Sequence, residues 1–75
     1  MDTITATLAK RVDADRRAQG VAVLPLSTAT GIPRTTLIRQ LAGQSDISAP
    51  DLLRLAKHLN ASVSDWLKDL GQVAA

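Results

Sequence analysis

Residues 26–43, LSTATGIPRTTLIRQLAG, carry the strongest structural signal in the chain. Gly31 and Pro33 divide this stretch into two helical segments, because glycine commonly ends a helix and proline suits a first helical position. Ile32 lies between them, where it can fill the angle between the helices. The pattern is typical of a helix-turn-helix, although any two-helix corner of a small bundle would use the same residue types. We predict two helices here, over about 24–30 and 33–42.

The flanking sequence predicts three further helices and no strand. Ser48 and Ser62 each precede an aspartate by three residues, which is the form of a capping box at a helix start. The predicted helices cover about 4–19, 49–59 and 63–70, and residues 72–75 are expected to fray. A chain of 75 residues can fill one core. The expected fold is therefore all-α, a compact five-helix bundle forming one domain over residues 1–75.

Composition restricts the classes of protein to which the chain can belong. The net charge of +2 is only weak evidence for a nucleic-acid partner, and the absence of cysteine excludes disulfides and cysteine-based zinc sites. No stretch approaches the roughly 20 apolar residues of a membrane span. The N-terminus also lacks the pattern of a secretory signal. We therefore expect a cytoplasmic protein that does not associate with membranes.

The side chains needed for catalysis or metal binding are not brought together by the sequence. His58 is the only histidine, and no cysteine or second histidine accompanies it, so a surface or half-buried helical position is expected. The serines have no histidine partner at a plausible spacing, and no glycine-rich phosphate loop follows a strand. The sequence predicts neither an enzyme nor a metal or cofactor site.

From roughly Leu8 to Leu67 the chain resembles the Cro and C1 repressor family, also called the XRE family. The matching pieces are the basic end of the first helix with Gly20, the segment 26–43, and ISAPDLLRLAKHLNASVSDWL over 47–67. Segments such as GIPRTTL are also similar to those of actinobacterial and actinophage regulators. The resemblance implies a lambda-repressor-like fold, double-stranded DNA as partner, and a third helix that enters the major groove.

The resemblance also implies which side chains meet the DNA. The base-reading positions fall on Pro33, Arg34, Thr35, Ile38 and Arg39. Arginine matches guanine O6 and N7 bidentately, and threonine can hydrogen-bond a base or touch a thymine methyl. The alternatives are a solvated helix face for the arginines and a bond to the local backbone for one of the adjacent threonines. The candidate phosphate contacts are Arg16, Arg17, Thr36, Gln44 and Ser45.

Three positions depart from the family pattern. The usual acidic partner of Arg16, late in the third helix, is replaced by Leu41, so Arg16 is either free for phosphate or paired with another acid. The glutamine that commonly clamps a phosphate at the start of the second helix is Val23. Gln40 occupies a position that is usually apolar, and we expect Leu41 to take over its packing.

The fifth helix supplies candidates for a dimer interface, which are Val63, Trp66 and Leu70. A homodimer, at least on DNA, would match a pseudo-palindromic operator. The alternative is that Trp66 belongs to the core of the monomer. The expected function is sequence-specific regulation of transcription, as a repressor, a Cro-like switch or an antitoxin. A protein-interaction module is the alternative from another class, favoured by the missing glutamine and the modest charge.

Overall fold

The computed structural model describes residues 3–74, in which the chain forms five α-helices and no strand. The helices are α1 Thr3–Ala18, α2 Val23–Thr30, α3 Arg34–Leu41, α4 Ala49–His58 and α5 Val63–Ala74. The all-α, five-helix expectation is confirmed. Every predicted boundary lies within one residue of the observed one, except the end of α5. No helix in this part of the chain has the length and apolar character needed to cross a membrane.

Side-chain caps fix the starts of α4 and α5, as the sequence predicts. The Ser48 hydroxyl accepts a hydrogen bond from the Asp51 backbone N–H at 3.3 Å. The Ser62 hydroxyl accepts one from the Asp65 N–H at 3.4 Å. Each bond satisfies one of the N–H groups that a helix leaves unpaired in its first turn. The start of α2 differs, because Ala22 precedes it and provides no side-chain cap.

The predicted end of the last helix at residue 70 is wrong, because α5 continues to Ala74. Glycine in a helix interior costs about 1 kcal/mol relative to alanine, but it retains its N–H and causes no clash. Gly71 therefore weakens the helix without ending it. Residues 72–74, which were predicted to fray, continue the helix, and Ala75 lies outside the described residues.

The core lies where the five helices meet, and each helix contributes to it. Its fully buried side chains include Val12, Leu37, Leu55 and Trp66. Ile32, in the turn between α2 and α3, is buried with them, as the sequence predicts. Among the described residues, α1 packs mainly against α5, and α2 packs against both α3 and α4. This arrangement leaves one side of α3 uncovered.

Trp66 is a core residue, and its assignment to a dimer interface is wrong. Its side chain is 0% exposed, and its indole Nε1 donates a hydrogen bond to Asp15 Oδ2 on α1. A side chain without accessible surface cannot contact a second chain. The other two interface candidates, Val63 and Leu70, are half-buried, and Val63 packs against the core.

Gln40 is buried despite its polar side chain. It is only 2% exposed, whereas Leu41 is half-buried at the edge of the core. The expectation that Leu41 takes over the packing of Gln40 is therefore wrong. Burial of the amide is possible because Gln40 Nε2 donates to Asp51 Oδ2 at 3.0 Å, between α3 and α4.

Candidate nucleic-acid interface

The corner between α2 and α3 is fixed by local hydrogen bonds. Gly31 adopts a left-handed conformation with φ of 78°, and its N–H donates to the Ser27 carbonyl at 2.9 Å. The Ser27 hydroxyl donates to the Ile32 carbonyl. The Thr30 hydroxyl donates to the Leu26 carbonyl at 2.8 Å and accepts from the Ile32 N–H at 3.3 Å. These bonds satisfy the polar groups of the turn and set the direction in which α3 leaves it.

Pro33 is the N-cap residue of α3 and not its first helical residue, so the helix begins at Arg34, one residue later than the sequence predicts. The Pro33 carbonyl accepts the first helical hydrogen bond, from Leu37 at 2.9 Å. Leu37 then faces the core, and the residues predicted to meet DNA lie on the opposite, exposed side. The exposed residues of this segment are Pro33, Arg34, Thr35, Thr36, Ile38 and Arg39.

The exposed side of α3 forms two adjacent rows. Arg34 and Ile38 are four residues apart, as are Thr35 and Arg39, and side chains at this spacing are neighbours on a helix surface. Ile38 is 46% exposed, so an aliphatic surface lies beside the polar side chains. We call these four residues the α3 face.

The polar groups of the α3 face are available to a partner. Within residues 3–74, neither Arg34 nor Arg39 forms an ion pair, and the Thr35 hydroxyl forms no hydrogen bond. The Thr36 hydroxyl does not bond to the local backbone either, although such a bond was the alternative for one of these two threonines. By contrast, Arg17 and Arg54 both pair with aspartates. Arg34 and Arg39 can therefore bind an external group without first losing an internal one.

Arg16 has a structural role. Its side chain is 14% exposed, and its guanidinium binds Asp13 Oδ1 through Nε at 2.9 Å and Nη2 at 2.8 Å. The remaining nitrogen, Nη1, donates to the Val21 carbonyl at 2.8 Å. Arg16 thus joins the end of α1 to the connection before α2. Of the two alternatives for Arg16, the structure shows the pairing with another acid, and each of its three nitrogens donates to an acceptor within the chain.

Arg17, the second candidate phosphate contact on α1, is largely exposed. Its side chain is 73% exposed, with Nε 2.8 Å from Asp13 Oδ2. A cavity of about 190 Å³ separates the end of α1 from α3, and both Arg17 and Ile38 border it. Arg17 is therefore beside the α3 face. The cavity is lined by Asp13, Arg16, Arg17, Val23, Ile38, Leu41 and Ala42.

The loop after α3 carries the other two phosphate candidates. Gln44 is exposed and Ser45 is half-buried, and no side-chain hydrogen bond of either is formed within the described chain. The Gln44 backbone N–H donates to the Arg39 carbonyl at 2.9 Å, which holds the start of the loop against the end of α3. Thr36, the remaining candidate, is exposed on α3 itself.

Charge is distributed unevenly along the chain. Residues 16–45, which span the helix-turn-helix and its flanks, contain four of the nine basic residues and none of the seven acidic ones. The rest of the chain consequently carries a net charge of −2 although the whole carries +2. This asymmetry is hidden by the overall composition, and it could have been found by counting acids segment by segment.

Side-chain chemistry suited to metals is not assembled in the described residues. No group of three or more His, Cys, Asp and Glu side chains in this part of the chain is arranged to hold a metal ion. His58 is exposed on α4.

Solved structures that share this fold include two regulatory proteins. One is the clp gene regulator ClgR from Corynebacterium glutamicum, with a TM-score of 0.87 and 24% identity, covering 97% of this chain and 79% of that one. The other is the restriction-modification controller protein C.AhdI from Aeromonas hydrophila, with a TM-score of 0.77 and 22% identity, covering 83% of this chain and 94% of that one. No family model matches the sequence. No curated protein matches it either. One neighbour is a gene regulator and the other a restriction-modification controller protein, and the similarity of this chain to them is one of fold.

Proposed function

We propose that the protein binds double-stranded DNA in a sequence-specific manner and regulates transcription, with α3 in the major groove. The observation that carries this proposal is the α3 face, whose two arginines are exposed and unpaired within residues 3–74. A helix of this diameter fits the major groove, and an arginine there can bind guanine bidentately. The fold shared with two bacterial regulators supports the same function. No enzymatic activity is part of the proposal.

The base-reading residues are Arg34, Thr35 and Arg39, with Pro33 and Ile38 beside them. Arg34 lies in the first turn of α3, and Arg39 lies one turn and a half further on. Both ends of the helix therefore present a guanidinium to the groove. Ile38, between them on the surface, is suited to contact a thymine methyl group.

Phosphate contacts come from Arg17 on α1, Thr36 on α3, and Gln44 and Ser45 in the loop after α3. Arg17 borders the same cavity as Val23, which stands where the resemblance leads us to expect a phosphate-clamping glutamine. We infer that Arg17 provides the contact that Val23 cannot. Such contacts orient the protein on the duplex and carry no sequence information themselves.

A homodimer on a pseudo-palindromic operator is the form in which we expect the protein to act, as a cytoplasmic repressor. A single module of this size buries too little DNA surface for strong specific binding. With Trp66 in the core, the dimer surface on α5 has to be formed by its exposed side. Leu67 is 44% exposed there, next to the half-buried Val63 and Leu70.

The test is selection of binding sequences from random duplex DNA at two salt concentrations. Enrichment of a two-fold symmetric sequence that weakens with salt supports a dimeric DNA reader, because binding to phosphates releases counterions. Enrichment of an asymmetric half-site would support DNA binding and contradict the dimer.

Absence of enrichment at low salt would contradict DNA binding and favour a protein-interaction module. One observation favours a protein-interaction module: Leu53 on α4 is 62% exposed and Leu24 on α2 is 58% exposed. Side chains of this kind are common at protein contacts when they form one patch.

A further inference from the structure

A hydrogen bond between Gln40 and Asp51 joins α3 to α4, and neither residue belongs to the α3 face. Gln40, in the last turn of α3, is 2% exposed, and its Nε2 donates to Asp51 Oδ2 at 3.0 Å. Asp51 lies in the first turn of α4, where its backbone N–H donates to Ser48 Oγ. The contact therefore attaches the end of α3 to the start of α4.

The chemistry of Asp51 determines how the Gln40 amide is oriented. An ionised carboxylate only accepts hydrogen bonds, so the NH₂ group of Gln40 has to face it. The other polar atom, Gln40 Oε1, is buried and accepts no hydrogen bond from the described residues. A buried carbonyl without a donor is unfavourable, so an aliphatic side chain would suit this position better on grounds of stability alone. A polar contact retained at such a cost can serve to select one packing arrangement.

Helix α3 needs a directional contact because it is short. It contains eight residues, of which only Leu37 and Gln40 are buried. Apolar packing through Leu37 is non-directional and permits the helix to tilt, whereas a hydrogen bond is directional. Side chains that form a binding constellation have to be held within about 0.5 Å and 10–20° of their productive geometry. The Gln40–Asp51 contact supplies a directional bond at the end of α3 that carries Arg39.

We propose that Gln40 and Asp51 are positioning residues that fix the orientation of α3 and so set the sequence specificity of the protein. This inference rests on the proposed DNA-binding function. Both residues act through the α3 face, because Gln40 is buried and Asp51 carries a negative charge that would repel phosphate. They are distinct from the base-reading and phosphate contacts.

A matched pair of substitutions tests the contact. Asp51→Ala and Asp51→Asn both remove the charge and the ion pair with Arg54, and both retain the backbone N–H that Ser48 caps. Only the asparagine variant keeps an oxygen that can accept from Gln40, and its NH₂ group can also donate to Gln40 Oε1. The difference between the two variants therefore isolates the contact between α3 and α4.

The measurement is the ratio of affinities for the selected duplex and a scrambled duplex of the same composition. We expect Asp51→Ala to lower this ratio about five- to tenfold and Asp51→Asn to retain it within about twofold. Arg54→Ala, which removes only the outer ion pair, should also retain it. An equal fall in both Asp51 variants, or no fall in either, would overturn the proposal.

Gln40→Leu separates positioning from stability. We expect its midpoint of thermal unfolding to stay close to that of the wild type, because removal of the unpaired amide oxygen offsets the donor that Asp51 loses, and Asp51 keeps its ion pair with Arg54. We expect its affinity ratio to fall nonetheless, as in Asp51→Ala. A Gln40→Leu protein that folds and keeps the full ratio would show that the contact does not position α3.

Failure of the DNA-binding proposal is recognised separately, as a wild-type protein that enriches no duplex. In that case amide hydrogen exchange tests the contact without DNA. Asp51→Ala should accelerate exchange in the last turn of α3 several-fold relative to Asp51→Asn, including the Ala42 N–H that donates to the Ile38 carbonyl. Equal exchange in the two variants would overturn the positioning role.

Discussion

At the scale of single residues, Asp13 binds two adjacent arginines, Arg16 and Arg17, whose roles differ. Its Oδ1 binds the part-buried Arg16, and its Oδ2 binds the exposed Arg17. The Arg16 pair is protected from solvent and is completed by the Val21 carbonyl. The Arg17 pair is open to water, where such pairs contribute little and are easily exchanged for another anion. One arginine therefore supports the fold, and its neighbour can bind a phosphate.

Alanine substitutions at the two arginines should separate these roles. Arg17→Ala should weaken binding to all duplexes alike and flatten the dependence of log affinity on log salt by about one unit. Arg16→Ala should leave that slope unchanged and lower the free energy of unfolding by about 1–3 kcal/mol, because Asp13 and the Val21 carbonyl lose a charged donor. Salt titrations and chemical denaturation measure the two effects. The opposite assignment follows if Arg16→Ala flattens the slope and Arg17→Ala does not.

Arg39 should contribute specificity. Arg39→Ala is expected to cost about 1–3 kcal/mol of binding free energy and to relax the preference at one base position. The matched control is Lys57→Ala, which removes the same charge from the exposed side of α4. Both are measured against the selected duplex and its single-base variants. If the two variants lose affinity equally and keep the same base preferences, Arg39 does not read a base.

At the scale of elements, the corner between α2 and α3 depends on a conformation that few residues tolerate. Gly31 has φ of 78°, and a β-carbon added there would meet no atom within 4 Å. The requirement is therefore for backbone conformation and not for space. Gly20, at the end of α1, has φ of 69° and the same open surroundings.

These two glycines allow a controlled test of backbone strain. Gly31→Ala and Gly20→Ala should each lower the free energy of unfolding by about 1–2 kcal/mol, because the left-handed region is unfavourable for residues with a β-carbon. The corresponding asparagine substitutions should cost less, since asparagine tolerates this region better. Denaturant unfolding of the four variants measures the differences. Alanine variants as stable as the asparagine variants would indicate that the turns relax out of the left-handed conformation.

Elements whose signals are local were predictable from the sequence, and contacts between distant elements were not. The starts of α4 and α5 follow from caps within four residues, and the exposure of Arg34 and Arg39 follows from helical periodicity. The Asp13 partner of Arg16 is three residues away on α1 and follows from helical spacing, whereas its second acceptor, the Val21 carbonyl in the following turn, was not predictable. The burial of Gln40 depends on an aspartate in another helix. Its signal was visible only as a polar residue at a core position.

At the scale of the whole molecule, the packing of α1 against α5 joins the two ends of the chain. Trp66 is the largest fully buried side chain, and its indole N–H reaches Asp15 across 51 positions of sequence. A contact of such separation has no local signature, which is why the sequence left open whether Trp66 faces inward or toward a second chain.

Removal of the indole N–H should destabilise the fold without changing assembly. Trp66→Phe is expected to lower the free energy of unfolding by about 1–3 kcal/mol, because a cavity forms and Asp15 loses its donor. Asp15→Asn should cost less, since an oxygen remains to accept the bond. Sedimentation of the folded variants should match the wild type. If the wild type is a dimer and the folded Trp66→Phe variant is a monomer, Trp66 does contribute to the interface.

The dimer itself is tested on the exposed side of α5. Leu67→Lys should convert a dimer on DNA into a monomer, because a charge would enter an apolar contact, and it should leave stability nearly unchanged because Leu67 is 44% exposed. The control is Leu53→Lys on α4, which is 62% exposed. Sedimentation in the presence of the selected duplex distinguishes them. A dimer that survives Leu67→Lys and dissociates with Leu53→Lys would place the interface on α4.

The segment without acidic residues also affects how the molecule approaches a polyanion. Residues 16–45 carry four arginines and no acid, and the rest of the chain carries a net charge of −2, so charge is unevenly divided although the total is only +2. In the field of a phosphate backbone an uneven charge distribution experiences a torque that turns its basic part toward the phosphates before contact. Collisions in the productive orientation then become more frequent, and this gain decreases as added salt shortens the range of the field. The charge pattern thus favours rapid association, independently of how tightly the final complex is held.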